Sequence, residues 1–168
     1  MKSRSYYVLA AIGFIVLAAV VDANRDVDVN VNVDVERDDS GAVVDDSNVD
    51  AFKLRVGDCF NDAGRFDGQD ANKPSVPCSE PHDNEAYAVF DVSYDSFPTN
   101  GSMNQLAYDA CMMRFESYVG KEYDRSPLMI ATLQPTAESW GKGHREVVCA
   151  VFKLNRDQLV GSMAARGL

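Results

Sequence analysis

The stretch VPCSEPHDNEAYAVF contains the side chains most able to do chemistry. It places Cys78 and His82 among three acidic residues, Glu80, Asp83 and Glu85, just before a run that resembles a strand. A cysteine beside a histidine can be a nucleophile with its base, part of a zinc site, or half of a disulfide at a polar turn. The compartment of the protein and its other cysteines bear on this choice.

The first 23 residues predict export. Lys2 and Arg4 precede an uninterrupted apolar run at residues 8–21, and small residues suit cleavage after Ala23. Fourteen residues rise about 21 Å as a helix, short of a hydrocarbon core of roughly 30 Å, so a cleaved signal peptide is favoured over a membrane anchor. In both cases the positive-inside rule places the rest of the chain outside the cytoplasm, touching the membrane only through this segment.

Residues 24–50 have a different composition. They contain nine acidic residues and two arginines, a net charge of −7 out of −10 for the whole chain. We predict an acidic low-complexity tether here, with an arm that binds cations or a basic partner as the alternative. Five valines, at positions 27, 29, 31, 33 and 35, alternate with Asp and Asn. This period of two makes a loosely added edge strand an alternative prediction for this part of the tether. The folded domain is predicted at residues 51–168.

The four cysteines favour two disulfides. Cys59, Cys78, Cys111 and Cys149 are an even number in an exported domain, and they can connect in three ways. We predict Cys59–Cys78 and Cys111–Cys149, because these pairs tie the opening loop to the polar corner and a helix to the last strand. A zinc site using Cys78 and His82 is the alternative, but the sequence has no Cys-x-x-Cys pair. We therefore expect no metal and no cofactor.

The domain is predicted to be α+β. Runs rich in β-branched and aromatic residues predict four strands, at residues 52–56, 85–94, 128–133 and 145–154. We expect an antiparallel sheet of four to five strands with one long helix packed on it and two disulfides.

The helix is predicted between the second and third strands. Ser102 with Gln105 has the spacing of a capping box, and Gly120 is a typical stop. Ala107, Cys111, Phe115 and Tyr118 recur at helical spacing, which predicts that this face is buried against the sheet.

His82 has a catalytic and a structural interpretation. It could be a general base oriented by Asp83 or Glu85, but residues so close in a turn rarely orient one another. We favour a histidine that follows Pro81 and donates to a backbone carbonyl of the turn. The sequence has no Gly-x-Ser-x-Gly, no His-Glu-x-x-His, no glycine loop for phosphate and no dominant basic face for nucleic acid.

Trp140 is the only tryptophan and lies close to Arg145. It could be a stacking platform for a sugar, with Lys142 and Arg145 as polar neighbours, or the lid of a small core, which we favour. Together with His82 and Glu85, these two residues are the candidate binding residues, provided that all four line one exposed pocket.

Several blocks of the domain occur in an order that resembles a known family. They are GDCF, PCSEPHDNEAYAVF, AC followed by F and YVG, PTAESWGKGHREVVC and the closing LVGS, and they extend over residues 57–162. The ordered set resembles the septum formation family of high-GC Gram-positive bacteria. This resemblance implies an extracytoplasmic domain, often tethered to the membrane, with a role at the division septum and no established enzymatic activity.

We therefore expect an exported, membrane-anchored or secreted protein that is not an enzyme. It would act in septum formation by binding a cell-division protein or a wall component. The alternative from another class is a cell-envelope hydrolase that uses His82 with the nearby carboxylates.

Overall fold

The computed structural model describes residues 35–39, 41–62, 72–155 and 157–168. The chain divides into two compact units, residues 1–31 and 32–168, and all described residues belong to the second. The segment predicted as a signal peptide lies outside the described residues, as do four of the five alternating valines. Within the described part of the chain, no helix is long and apolar enough to cross a membrane.

The described residues form one antiparallel sheet, two helices and two 3-10 turns. In chain order the elements are β1 (Ser47–Asp50), a 3-10 turn (Ala51–Lys53), β2 (Cys59–Phe60), β3 (Asn72–Val76), β4 (Asn84–Asp91), α1 (Asn100–Val119), a 3-10 turn (Tyr123–Arg125), β5 (Leu128–Leu133), α2 (Ala137–Gly141) and β6 (Glu146–Lys153). The strand order is β1-β3-β2-β4-β6-β5, and every pairing is antiparallel. The predicted α+β class is confirmed, with six strands instead of four or five.

Strand β6 lies between β4 and β5 in the sheet, and both of its faces are covered. Val147, Cys149 and Val151 point to the side of α1, while Val148 and Ala150 point to the opposite side. All five are at most 1% exposed, because successive residues of a strand alternate between faces and each face has its own apolar layer. This explains why the strand is a continuous apolar run in the sequence.

The long helix covers the first face. Its buried residues are Met103, Ala107, Cys111, Phe115 and Val119. Their regular spacing of four residues keeps them on one stripe, as predicted, although Tyr118 of the predicted face is only half-buried.

The helix begins earlier than predicted and ends where predicted. Thr99 is the N-cap, and its side-chain oxygen accepts from the backbone N–H of Ser102 at 3.3 Å. The predicted cap at Ser102 is therefore wrong, and Gln105 donates to Asp109 at 2.8 Å instead of closing a capping box. Gly120 ends the helix at φ 81°, a left-handed conformation that favours glycine.

The second face is covered by residues at the start of the domain. Val49, Ala51 and Leu54 are buried there with Val148 and Ala150. Strand β1 thus lies inside the segment predicted as a tether, and the sheet begins before the predicted boundary at residue 51.

The predicted strand at residues 52–56 is wrong. The side chain of Asp50 accepts from the backbone N–H of Phe52 at 3.0 Å and caps a 3-10 turn at Ala51–Lys53. A local Asp cap of this kind satisfies backbone donors without a neighbouring strand, so the chain turns instead of extending.

A segment before β1 is held by a buried ion pair. Arg37 makes two hydrogen bonds to the carboxylate of Asp58, at 2.5 and 2.8 Å, and pairs as an isolated bridge with Val43. The Arg37 side chain is 11% exposed and that of Asp58 is 2% exposed. The hydrogen bond to Asp58 raises the pKa of the Arg37 guanidinium, so the guanidinium remains charged at physiological pH.

Candidate functional site

His82 and Glu85 meet in a fully buried corner. His82 forms an isolated bridge with Leu159 in residues 157–168, which we call the C-terminal segment. Glu85 lies at the start of β4, where it pairs with Cys59 of β2. Both side chains are 0% exposed. Ligand-type atoms of Cys59, His82 and Glu85 lie within 4.8 Å of one another.

The carboxylate of Glu85 is occupied by three donors. The hydroxyls of Tyr118 and Ser162 donate to Oε1, each at 2.6 Å, and the backbone N–H of Met163 donates to Oε2 at 2.6 Å. Burial raises the pKa of the Tyr118 hydroxyl above its usual value, and the adjacent Glu85 raises it further. Tyr118 therefore stays protonated and donates at neutral pH. Glu85 thus ties the helix and the C-terminal segment to the sheet.

The imidazole ring of His82 is held in place through Nδ1. Nδ1 donates to the backbone carbonyl of Glu80 at 2.7 Å, as predicted for a histidine that caps a turn. The backbone of His82 also exchanges hydrogen bonds with Leu159, at 3.0 and 2.7 Å. The Nε2 atom is buried and has no hydrogen-bond partner among the described residues.

This corner has the residue types of a metal site without enough free ligands. Cys59 is joined to Cys78, so its sulfur is not a thiolate. Only His82 and Glu85 remain, and the oxygens of Glu85 already accept three hydrogen bonds. Structural zinc normally takes four protein ligands, which the oxidised corner does not offer.

Both predicted disulfides are confirmed. Cys59–Cys78 joins β2 to the polar corner with a Cα–Cα distance of 5.2 Å. Cys111–Cys149 joins α1 to β6 across 5.4 Å. All four cysteines are therefore in disulfides. The stretch VPCSEPHDNEAYAVF contains a disulfide-linked turn instead of a thiol nucleophile.

Trp140 and Arg145 form a second pair. The indole ring is 7% exposed, and the Arg145 guanidinium carbon lies 3.6 Å from the ring centroid. Phe97 meets the same ring edge to face, with centroids 5.7 Å apart. Because its ring is already covered, Trp140 belongs to the core as favoured from the sequence and offers no open face to a sugar.

The four candidate residues do not share a pocket. Glu85 pairs with Val151 at one end of the β4–β6 ladder, whereas the carbonyl of Arg145 accepts from the N–H of Val92 beyond the other end. At about 3.3 Å per residue, the two pairs lie roughly 20 Å apart along the sheet. His82, Glu85 and Trp140 are buried, and Arg145 is half-buried.

A groove lies elsewhere on the described part of the chain. It has a volume of about 660 Å³ and runs between the start of α1, the end of β5 and the start of α2. Its lining residues are Asn100, Met103, Asn104, Thr132, Gln134, Pro135, Thr136, Ala137 and Glu138. We name it the amide groove, because three of these side chains are carboxamides.

Two neighbouring amides organise this groove. Gln134 Nε2 donates to Asn104 Oδ1 at 2.7 Å, while Gln134 Oε1 is buried and has no partner among the described residues. The only charged lining residue described is Glu138, whose pKa is lowered by its hydrogen bond to Lys142 at 2.7 Å.

Sequence reasoning missed the groove because α2 was not predicted. Thr136 and Ser139 form a reciprocal capping box at its start, a signal that the sequence contains. The helix is only five residues long, so no helical periodicity accompanies that signal.

Comparison with known proteins gives one family. A family model described as septum formation matches residues 56–166, about two thirds of the chain. Searches of curated proteins and of solved structures returned no significant match.

Proposed function

Because this chain belongs to the septum formation family, we propose that it is a non-enzymatic module of the cell envelope. In this proposal the exported domain takes part in septum formation by binding a cell-division protein or a wall component. The N-terminal segment delivers or anchors it, so that the domain works outside the cytoplasm.

The observation that carries the proposal is the burial of the acid–base pair. His82 and Glu85 are a neighbouring imidazole and carboxylate in the buried corner, and both are 0% exposed. A general base must come within hydrogen-bond reach of the proton that it removes. A wall polymer cannot reach these groups unless the C-terminal segment leaves. This favours a structural role for the pair over the alternative of a hydrolase that uses His82.

The disulfides support a position outside the cytoplasm. Two pairs are closed across the core, and structural disulfides persist mainly in oxidising compartments. A domain that needs both of them is expected to fold only after export.

Genetic complementation tests this proposal. In cells lacking the gene, we expect delayed or misplaced septa, and we expect the full chain to restore them. A chain without residues 1–23 should stay in the cytoplasm and fail to restore them, with expression of both chains checked by immunoblot. Normal septa in the deleted strain, or full rescue by the cytoplasmic chain, would contradict the proposal.

A further inference from the structure

The buried corner has an imidazole nitrogen that no described residue satisfies. His82 is 0% exposed, and its Nε2 atom has no hydrogen-bond partner in the described part of the chain. Buried polar atoms are nearly always hydrogen-bonded, and an exception in a native fold can mark a redox role or a site for water or an ion.

The other ring nitrogen prepares Nε2 to bind a metal. Nδ1 donates to the carbonyl of Glu80 at 2.7 Å, so a neutral ring has no proton on Nε2 and presents a lone pair there. Histidines that bind metals almost always donate their second nitrogen to a carboxylate, a backbone carbonyl or water in this way.

Opening the Cys59–Cys78 bond completes a set of four ligands. Ligand atoms of Cys59, His82 and Glu85 lie within 4.8 Å of one another, and Sγ of Cys78 is bonded to Sγ of Cys59. Neighbouring ligands of tetrahedral zinc lie roughly 3.3–3.8 Å apart, so side-chain shifts of about 1 Å would close the set around an ion.

We infer that the reduced form of this corner is a zinc site whose ligands are Cys59, Cys78, His82 and Glu85. Thiolates and imidazole favour Zn²⁺ over the hard cations Mg²⁺ and Ca²⁺, and four protein ligands are typical of structural zinc. The disulfide and the zinc use the same two sulfurs, so the corner holds one or the other. This inference goes beyond the proposed function and does not depend on it.

Glu85 keeps one position for the ion although three donors surround its carboxylate. A carboxylate has about four lone-pair positions, two on each oxygen. Tyr118 and Ser162 both donate to Oε1, whereas Oε2 accepts from the backbone N–H of Met163. The second position on Oε2 is left for the metal. The three donors would then orient this ligand, as outer contacts do in other metal sites.

The ion reaches this buried corner while the chain folds. A new chain leaves the ribosome with free thiols, and zinc binding is coupled to folding in small metal-binding domains because the site forms around the ion. No channel through the folded surface is needed. In the folded protein, Cys78 is half-buried and Cys59 is 0% exposed, so Cys78 is the cysteine on the solvent side.

In the oxidised protein a dithiol can open the bond from that side. One thiolate of the dithiol attacks Sγ of Cys78, the S–S bond breaks, and its electron pair leaves on Sγ of Cys59. The second thiol of the dithiol then displaces Cys78 and closes its own disulfide. The protein gains two electrons and the dithiol loses two. The two thiol protons go to the solvent when both protein thiolates bind Zn²⁺.

Zinc analysis of the oxidised and the reduced protein tests the inference. The exported full-length chain is kept oxidised or is reduced with a phosphine, incubated with zinc chloride, and freed of unbound metal without oxygen. We expect one zinc ion per reduced chain and none per oxidised chain. Zinc should also raise the melting temperature of the reduced protein and leave that of the oxidised protein unchanged.

Two double variants show which cysteines hold the ion. Cys59→Ala combined with Cys78→Ala should bind no zinc after reduction. Cys111→Ala combined with Cys149→Ala is the matched control, because it removes the other disulfide and leaves the same number of thiols. It should still bind one zinc ion.

Histidine variants decide the test if a cysteine variant does not fold. In the reduced protein, His82→Asn should weaken zinc binding by about tenfold or more, since changes even to the outer contacts of a metal site cost that much. In the oxidised state it should fold as the parent does, because the disulfide then holds the corner. His144→Asn is the matched control, because it changes the other histidine of the chain, which stacks on Phe52. It should bind zinc as the parent does.

Four results would overturn the inference. They are equal zinc binding by the oxidised and reduced proteins, a reduced parent that binds no zinc whether or not it folds, zinc retained without Cys59 and Cys78, or equal zinc affinity in the two histidine variants. The proposed function fails separately, through normal septa in the deleted strain. A parent protein that restores septa but binds no zinc after reduction would overturn the zinc inference alone.

Discussion

The backbone N–H of Met163 donates to Oε2 of Glu85 at 2.6 Å, although the two residues lie 78 positions apart in the chain. With the hydroxyls of Tyr118 and Ser162 on Oε1, this bond makes Glu85 the point where the sheet, the helix and the C-terminal segment meet. Burial of this polar side chain is tolerated because three donors surround it.

Removing this carboxylate should loosen the C-terminal segment. Glu85→Ala leaves three donors without an acceptor, and we expect the free energy of unfolding to fall by about 3 kcal/mol or more. Urea unfolding measures the loss, and limited proteolysis should cut beyond Leu159. Glu80→Ala is the control, because that side chain is exposed in the same turn. Equal stability of the two variants would contradict this role of Glu85.

The ion pair before β1 gives a second prediction. Arg37→Ala removes two hydrogen bonds from the buried carboxylate of Asp58, and we expect a loss of about 3–5 kcal/mol in unfolding free energy. Protease should then cut near residues 38–46 before it cuts the sheet. Arg55→Ala, which removes an exposed arginine close by, should change little. A chain that begins at residue 51 and is as stable as the parent would show that the segment before β1 adds no stability.

Alkaline pH should destabilise the protein through its buried tyrosines. Burial raises the pKa of Tyr87 and Tyr118, and it raises that of Tyr123 to about 12. These hydroxyls ionise near pH 10 in the unfolded chain. The contribution of these tyrosines to stability should therefore be constant below pH 10 and be lost as the pH rises from 10 towards the raised values.

Short urea titrations at pH 9, 10 and 11 measure this dependence. Between its pKa in the unfolded chain and its pKa in the folded protein, each such tyrosine lowers the free energy of unfolding by about 1.4 kcal/mol per pH unit. Tyr118→Phe should lower stability at neutral pH and reduce the slope. A variant with the same slope as the parent would contradict the assignment.

Trp140 should behave as a core residue. Trp140→Ala removes a ring that contacts Phe97 and Arg145, and we expect a loss of about 3–5 kcal/mol in unfolding free energy. Trp140→Phe, which keeps an aromatic ring, should lose less. If Trp140→Ala melts at the parent temperature but no longer binds wall material, the ring is a binding platform and the core assignment is wrong.

The elements predicted from sequence are those with strong local signals. Strand β5 was predicted with its observed ends, and Gly120 as the helix stop, because apolar runs and a left-handed glycine are visible without tertiary context. The disulfide pairs followed from the order of these elements.

The missed elements depend on contacts that are distant in sequence. Strand β3 contains Pro74, which lacks a backbone donor, and Lys73, which is buried in the fold, so its sequence does not resemble a strand. Strand β2 has only two residues. The distance between the His82–Glu85 pair and the Trp140–Arg145 pair was also missed. It is set by the register of β4 against β6, which cannot be read from either motif alone.

The most direct test of a structural His82 uses His82→Asn in cells lacking the gene. The asparagine amide can donate to the Glu80 carbonyl as Nδ1 does, but it cannot act as a base. We predict a folded, exported variant that restores septa as well as the parent, and no hydrolysis of purified wall by either protein. Loss of a general base typically lowers turnover by about 10² to 10⁴-fold. A folded, exported variant that fails to restore septa, with wall hydrolysis by the parent alone, would contradict the account.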